Sequence, residues 1–288
     1  MGKNESAPED DPLHRHHVVS DDVVRSGDEC AIKTMYVELG RDFWKRVEQG
    51  DDYVVPVLSA PETLAEVVPA LSDTFGRILD AGCGPHPAVA ISLSRHPSRS
   101  VVALDLGWEM VRTATSVAAD SGVVLLGVAG DVENLPFRSN AFDGLVCDDT
   151  IEHLPNDVAG VTELARVLRP QALAILATPN RHSAAVVYAK FRDTLRGVRQ
   201  ERSSYFVASS HLREYTWREF ERLVRPCFRV ERRRPVGWRS GRKRKWITPL
   251  LHLPSLHRVS QMIVLQCRAR KVPDGILGTD QELAPRSG

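Results

Sequence analysis

The sequence is short of the residues and runs that mark several architectures. Its five cysteines, at positions 30, 83, 147, 227 and 267, are odd in number, scattered, and never in a C-x-x-C pair. That spacing argues against a zinc ribbon or a disulfide framework and leaves a reducing cytoplasm as the expected compartment. No apolar run approaches the roughly 20 residues of a membrane span, and the acidic, polar N-terminus has no apolar leader segment. No third glycine completes a G-x-G-x-x-G dinucleotide fingerprint, because Pro87 stands in its place after Gly82 and Gly84. No group of His, Cys, Asp and Glu recurs at convincing metal-ligand spacing, so no metal is expected; His14, His16 and His17 sit in a stretch whose composition reads as a flexible tail.

The formal net charge of +1 conceals a lopsided distribution. Residues 1–180 hold 14 Lys and Arg against 28 Asp and Glu, and residues 181–288 hold 24 against 9. The last third therefore carries a positive field, concentrated at Arg239 to Lys245, with Trp246, Ile247, Leu250 and Leu251 beside it. Such a run suits an anionic lipid surface, with peripheral membrane contact through 239–251, or a nucleic-acid backbone, or simply a solvated loop. The hydrophobic content of 42% is enough for one large core.

Composition divides the chain into a disordered tail at 1–28, one domain at 29–271, and a second disordered tail at 272–288. Apolar residues at three- and four-residue steps predict helices over 30–48 and 61–75, the second opened by Pro61. Strands are expected at 77–81, 100–105, 123–129, 144–147, 172–177, 227–234 and 262–267. Helices at 87–95, 107–120, 157–168 and 217–224 fall between them. This alternation requires a doubly wound, mainly parallel α/β sheet. Residues 181–215 interrupt the usual path after the fifth strand and read as a lid over the strand ends, and 237–258 as a basic insertion. Thr216 with Glu219 spells a helix capping box.

The stretch around which the rest is organised is Arg77-Ile78-Leu79-Asp80-Ala81-Gly82-Cys83-Gly84-Pro85. A buried strand ends in an acid and turns on two glycines, which lets a ligand lie against bare main chain. Asp80 would repel a pyrophosphate and attract a cation. Asp105 ends the next strand 21 residues after Gly84, where a carboxylate has two acceptor oxygens for a vicinal diol. Gly130-Asp131-Val132-Glu133-Asn134-Leu135-Pro136-Phe137 follows the third strand, and Phe142-Asp143-Gly144 leads through the fourth to Glu152-His153-Leu154-Pro155.

These four motifs, in this order across about residues 60–180, resemble the class I S-adenosylmethionine-dependent methyltransferases, in particular the small-molecule type that includes quinone-biosynthesis enzymes. The resemblance implies a Rossmann-like, seven-stranded sheet with a reversed last strand and helical lid insertions, and S-adenosyl-L-methionine as cofactor. It implies cofactor contacts at Asp80, Gly82, Cys83, Gly84, Asp105, Leu106, Met110, Asp131, Val132 and Asp148, with Asp131 accepting from the adenine amino group. It departs from the family at Gln171 and Ala172, where a glycine pair is usual between Leu168-Arg169-Pro170 and the fifth strand. His211-Leu212-Arg213-Glu214-Tyr215-Thr216 looks like a segment of small-molecule methyltransferases, and Arg213 and Tyr215 are expected to line the acceptor pocket.

Methyl transfer is an in-line displacement that needs positioning more than acid or base, but an oxygen acceptor must lose a proton. His153 and then His211 are the candidate catalytic bases. The expected acceptor is a small or lipid-linked molecule. An RNA methyltransferase using the basic last third, or a non-catalytic binder of the cofactor, remains open at this point. No N-P-P-[YF] tetrapeptide supports the nucleic-acid alternative.

Overall fold

The computed structural model describes residues 27–48, 61–184, 187, 211–236 and 256–270. Helices α1 (Glu29–Glu48) and α2 (Pro61–Ala70) precede the sheet. Strands β1 (Gly76–Ala81), β2 (Arg99–Asp105) and β3 (Leu126–Ala129) alternate with α3 (Ala88–Ser94) and α4 (Trp108–Asp120). Then come β4 (Phe142–Asp148), a 3₁₀ turn at Ile151–His153, α5 (Asp157–Val167) and β5 (Leu168–Pro179). Helix α6 (Trp217–Val224), β6 (Phe228–Val236), a 3₁₀ turn at Leu256–Val259 and β7 (Met262–Ala269) complete the described chain.

The seven strands lie in the order β3-β2-β1-β4-β5-β7-β6. Pairs among β1 to β5 are parallel, and β7 runs antiparallel to both β5 and β6. The expected mainly parallel sheet with a reversed last strand is thus the observed one. Successive residues of each inner strand feed opposite faces. Leu79, Leu104, Leu145 and Leu176 join a core closed by α5 and α6 through Leu164, Phe220 and Val224. Ile78, Val101, Val146 and Ile175 join a second core closed by α2, α3 and α4 through Val67, Leu93 and Ala118. Both faces are covered, which is why these strands read as continuous apolar runs.

Several boundaries differ from the sequence reading, each for a local reason. Helix α2 stops at Ala70 instead of Phe75. The Arg99 side chain reaches back to take the carbonyls of Leu71, Ser72 and Thr74, ending the helix at a side-chain cap supplied by β2. Strand β3 starts at Leu126 because Gly122, at φ +72, and the Val123 amide on Ala118 O close the C-terminus of α4. Strand β5 begins at Leu168 by passing through a register shift, with Gln171 at φ +65. That is the left-handed conformation a glycine would adopt freely, so Gln171 keeps the turn at a small strain cost.

The order reverses between β1 and β4. In a doubly wound sheet the crevice beyond the C-terminal ends of these two strands is the ligand-binding place. The expected lid, 181–215, lies mostly outside the described residues, as do the tails and nearly all of the basic insertion. Its two ends are anchored within them. Asn180 bridges to Tyr215, and its side-chain Nδ2 donates to the carbonyls of Arg258 and Ser260. No helix among the described residues is long and apolar enough to cross a membrane.

Candidate functional site

The turn after β1 is held open by neighbouring strands. The amides of Gly82 and Cys83 both donate to Leu104 O. Gly82 (φ +77) and Gly84 (φ +58) are left-handed. A side chain at Gly82 would run into Thr150, whereas one at Gly84 would meet nothing within 4 Å. Gly84 therefore presents bare main chain to open space, a cradle in which a ligand fits and a Cβ would intrude. The Cys83 thiol is buried.

Asp105, at the end of β2, faces the same space. Its Oδ2 accepts from the Gly84 amide at 3.0 Å and its Oδ1 from the Gly107 amide at 3.2 Å. Burial raises its pKa, partly offset by these amides and that of Leu106. Each carboxylate oxygen retains acceptor capacity, which fits a vicinal diol. Leu106 and Met110 are half-buried beside it, while Trp108 is 57% exposed.

Asp131 sits in the turn after β3, with Val132 buried in the core beneath it. Asp131 Oδ1 accepts from the Glu133 amide, and Oδ2 pairs with Lys33 Nζ at 2.7 Å. Lys33 also reaches Glu133 at 2.6 Å, so α1 is clamped onto the site by one ammonium. Asp148 ends β4, half-buried, and its carbonyl accepts from Thr150 Oγ1 at 3.0 Å.

Asp80, an expected cofactor contact, is engaged by the protein's own main chain. It is buried within β1, and the Ala90 amide near the start of α3 donates to it. It caps a helix that has no side-chain cap of its own at Pro87. Burial first, and then the charge of Asp105, push its carboxyl up to about 7. A carboxylate whose folded pKa is raised favours the protonated form, so the unliganded fold loses stability as pH rises from about 4 to about 7. We expect Asp80→Asn, which keeps the cap acceptor, to raise the melting temperature of the unliganded protein at pH 8 and leave it nearly unchanged at pH 4. The gain at pH 8 should be a few kcal/mol at most. Equal gains at both pH values would show that burial of the charge is not the cause.

Beyond β4 the chain gathers a second set of groups. Glu152 is fully buried, and its Oε2 accepts from Thr178 Oγ1 on β5 at 2.9 Å. Its Oε1 has no hydrogen-bond partner and lies 4.0 Å from His211 Nε2. Burial, and then the charge of Asp149, push the Glu152 carboxyl well above its usual range. Burial lowers His211 to about 4, leaving a neutral imidazole whose Nδ1 has no partner. His153 packs edge-on against His211 at 4.7 Å between ring centroids, and its Nδ1 is 2.7 Å from the Tyr36 hydroxyl of α1.

His211 is brought there by main chain. The amides of Leu212 and Arg213 donate to Glu152 O. Arg213 Nη1 reaches Leu154 O, and its Nη2 donates to Pro155 O at 3.0 Å. Tyr215 is buried, with its hydroxyl on Asp157. Arg213 thus holds the loop after β4, and Tyr215 holds the first residue of α5. The sequence reading expected them to line the acceptor pocket. It also missed Tyr36, Lys33, Thr178 and Glu152. Tyr36 and Lys33 looked like ordinary positions of an amphipathic helix, and nothing local marks them. Glu152 adjoins His153 in the motif and was legible as a candidate. Spacing along the chain shows no metal cluster, but the fold brings Glu152, His153 and His211 within 4.8 Å of one another.

Residues 79–176 match the family model described as a methyltransferase domain. Over 116 residues the chain is 37% identical to the biotin biosynthesis bifunctional protein BioHC of Saccharophagus degradans, covering 40% of this chain and 20% of that one. Over 130 residues it is 32% identical to the ubiquinone biosynthesis O-methyltransferase of Xanthomonas axonopodis pv. citri, covering 45% of this chain and 54% of that one. The chain therefore spans about half the length of the ubiquinone biosynthesis relatives it matches, and less of the first. The solved magnesium protoporphyrin IX methyltransferase of Synechocystis PCC 6803, with bound SAH, superposes with a TM-score of 0.57 at 17% identity. That match covers 84% of this chain and 100% of the other, and it is a likeness of fold.

Proposed function

We propose that this chain is a class I, S-adenosylmethionine-dependent methyltransferase that methylates a hydroxyl of a small-molecule or lipid-linked acceptor, a reading supported by the match of residues 79–176 to the methyltransferase-domain model and by the methyltransferase relatives. The observation that carries this reading is an adjacency at the switch point of the sheet. A strand-end carboxylate and a bare glycine turn, at Asp105 and Gly84, stand at the C-terminal ends of β2 and β1, and the group of Glu152, His153 and His211, with Glu152 fully buried, follows the neighbouring β4, whose Thr150 packs on Gly82.

Bound S-adenosylmethionine supplies an electrophilic methyl on a sulfonium whose leaving group is neutral. The chain does the rest by placement. Asp105 accepts from both ribose hydroxyls while tying down the glycine turn. Asp131 accepts from the adenine amino group alongside Lys33. Asp148 supplies negative charge that favours a cationic ligand over a pyrophosphate, and Asp80, bonded to the Ala90 amide behind the glycine turn, adds to it only when ionised, above about pH 7. An acceptor hydroxyl methylated there would give up its proton, and an imidazole of this group would take it. His153, oriented by Tyr36, is the first candidate to receive it, and His211 the second. The relatives named for ubiquinone biosynthesis favour a phenolic acceptor. The basic run at 239–245, outside the described residues, is the part of the chain suited to a lipid-linked one.

The test is transfer of a labelled methyl from S-adenosylmethionine to a panel of catechols, phenols and their prenylated forms, with transfer RNA and bulk RNA as comparison substrates. Labelling of a phenolic acceptor that is lost in His153→Ala supports the reading. Labelling of RNA alone, or none with any acceptor despite cofactor binding, overturns it.

A further inference from the structure

We propose that Glu152, His153 and His211 form a binding site for a divalent first-row transition-metal ion. The three residues come from two distant parts of the chain, and their ligand atoms lie within 4.8 Å of one another. Two tetrahedral ligands each about 2.1 Å from an ion stand about 3.4 Å apart, so the group has to close by up to about 1.4 Å, within the reach of side-chain rotation. Glu152 is the stronger clue. It is fully buried, and one of its carboxylate oxygens has no hydrogen-bond partner. Among the described residues its ion-pair contact is with His211, not with a lysine or arginine. A buried carboxyl oxygen without a hydrogen bond is met either by a proton or by a positive partner, and a metal ion is one of the few partners that fit between two imidazoles.

The surroundings are those of a built site. Thr178 Oγ1 holds Oε2 of Glu152 and leaves Oε1 turned toward the histidines. The Tyr36 hydroxyl fixes the His153 ring through Nδ1. The Leu212 and Arg213 amides bind Glu152 O, and Arg213 binds Pro155 O, so the backbone carrying His211 is anchored to the loop that carries the other two residues. Such outer contacts orient ligands and set affinity. Two nitrogen ligands and one carboxylate favour zinc, cobalt, manganese or ferrous iron over magnesium or calcium. Three protein ligands leave positions open for water or an acceptor oxygen, whose O–H an ion would acidify. The imidazoles would then serve as ligands, and the proton would leave to water. This catalytic consequence rests on the methyl-transfer reading; the site itself does not.

The experiment is a titration of Co²⁺ into the full-length, chelator-treated protein, without methyl donor, followed by visible d–d absorption, with Zn²⁺ displacing it. We expect one equivalent to bind in wild type. His211→Ala and Glu152→Gln should each abolish the bands, and Tyr36→Phe should weaken binding about 10- to 100-fold. A variant with His14, His16 and His17 all replaced by alanine should bind as wild type does. Circular dichroism and S-adenosylhomocysteine binding check that each variant is folded. If Glu152→Gln does not fold, His211→Ala, at a partly exposed position, decides the matter. Wild type without bands overturns the proposal, as does a His211→Ala protein that binds cobalt equally well. Either result leaves the methyl-donor reading standing, because no donor is present.

Discussion

Asp105→Ala should reduce S-adenosylmethionine affinity by on the order of a hundredfold or more while the protein stays folded. Two hydroxyl hydrogen bonds to an ionised carboxylate contribute about 1.5–3 kcal/mol each, and every 1.4 kcal/mol is tenfold. The same carboxylate accepts from the amides of Gly84 and Gly107, so its loss also frees the glycine turn that a ligand would lie against. Asp105→Asn separates the two roles. The amide keeps one acceptor oxygen but sets an N–H₂ against the Gly84 or the Gly107 donor, so affinity should fall by an intermediate amount. Isothermal titration with S-adenosylmethionine and S-adenosylhomocysteine measures both variants. An unchanged affinity in Asp105→Ala would show that the ribose is not held at this strand end, and NAD and adenosine should then be titrated in its place.

Gly82→Ala should be the most damaging single-methyl change in the described chain, with a cost of roughly 2–4 kcal/mol of stability. The backbone at φ +77 is strained for any L-residue, by about 1–2 kcal/mol. The new methyl would also be driven into the Thr150 side chain, which hydrogen-bonds the carbonyls of Asp148, Ala81 and Gly82 and ties β1 to β4. Gly84→Ala is the instructive contrast. Its φ is +58, but its Cβ would face open space, so stability should fall by only about 1 kcal/mol. Cofactor affinity should suffer much more, because that open space is the proposed cradle. Denaturant unfolding and titration of the two variants read these effects separately. Thr150→Ala in the Gly82→Ala background should recover part of the lost stability; if it recovers none, the clash with Thr150 is not the cause.

The strand-end acids were legible because their signal is local. Asp105 and Asp131 each follow an apolar strand at its C-terminal end, and a parallel sheet carries both to one edge. Asp80 shows the limit of that logic. Its neighbours along the chain mark it as an acid beside a glycine turn, yet its carboxylate bonds the Ala90 amide, because the turn folds α3 back over the strand. Arg213 and Tyr215 show the same limit. They look like a segment of small-molecule methyltransferases, and the sequence does not show that Leu154, Pro155 and Asp157 stand opposite them and engage their polar atoms.

By itself the sequence determined the sheet, its crevice and the chemistry of the ligand expected there, since these follow from alternating apolar runs, glycine placement and strand-end carboxylates. Only the tertiary structure decided what stands around that crevice. Helix α1 delivers Lys33 to Asp131 and Tyr36 to His153, and the segment after β5 returns His211 to Glu152. These contacts join residues far apart in the chain. Each depends on how a helix or loop packs against the sheet, and no pattern of neighbouring residues encodes that.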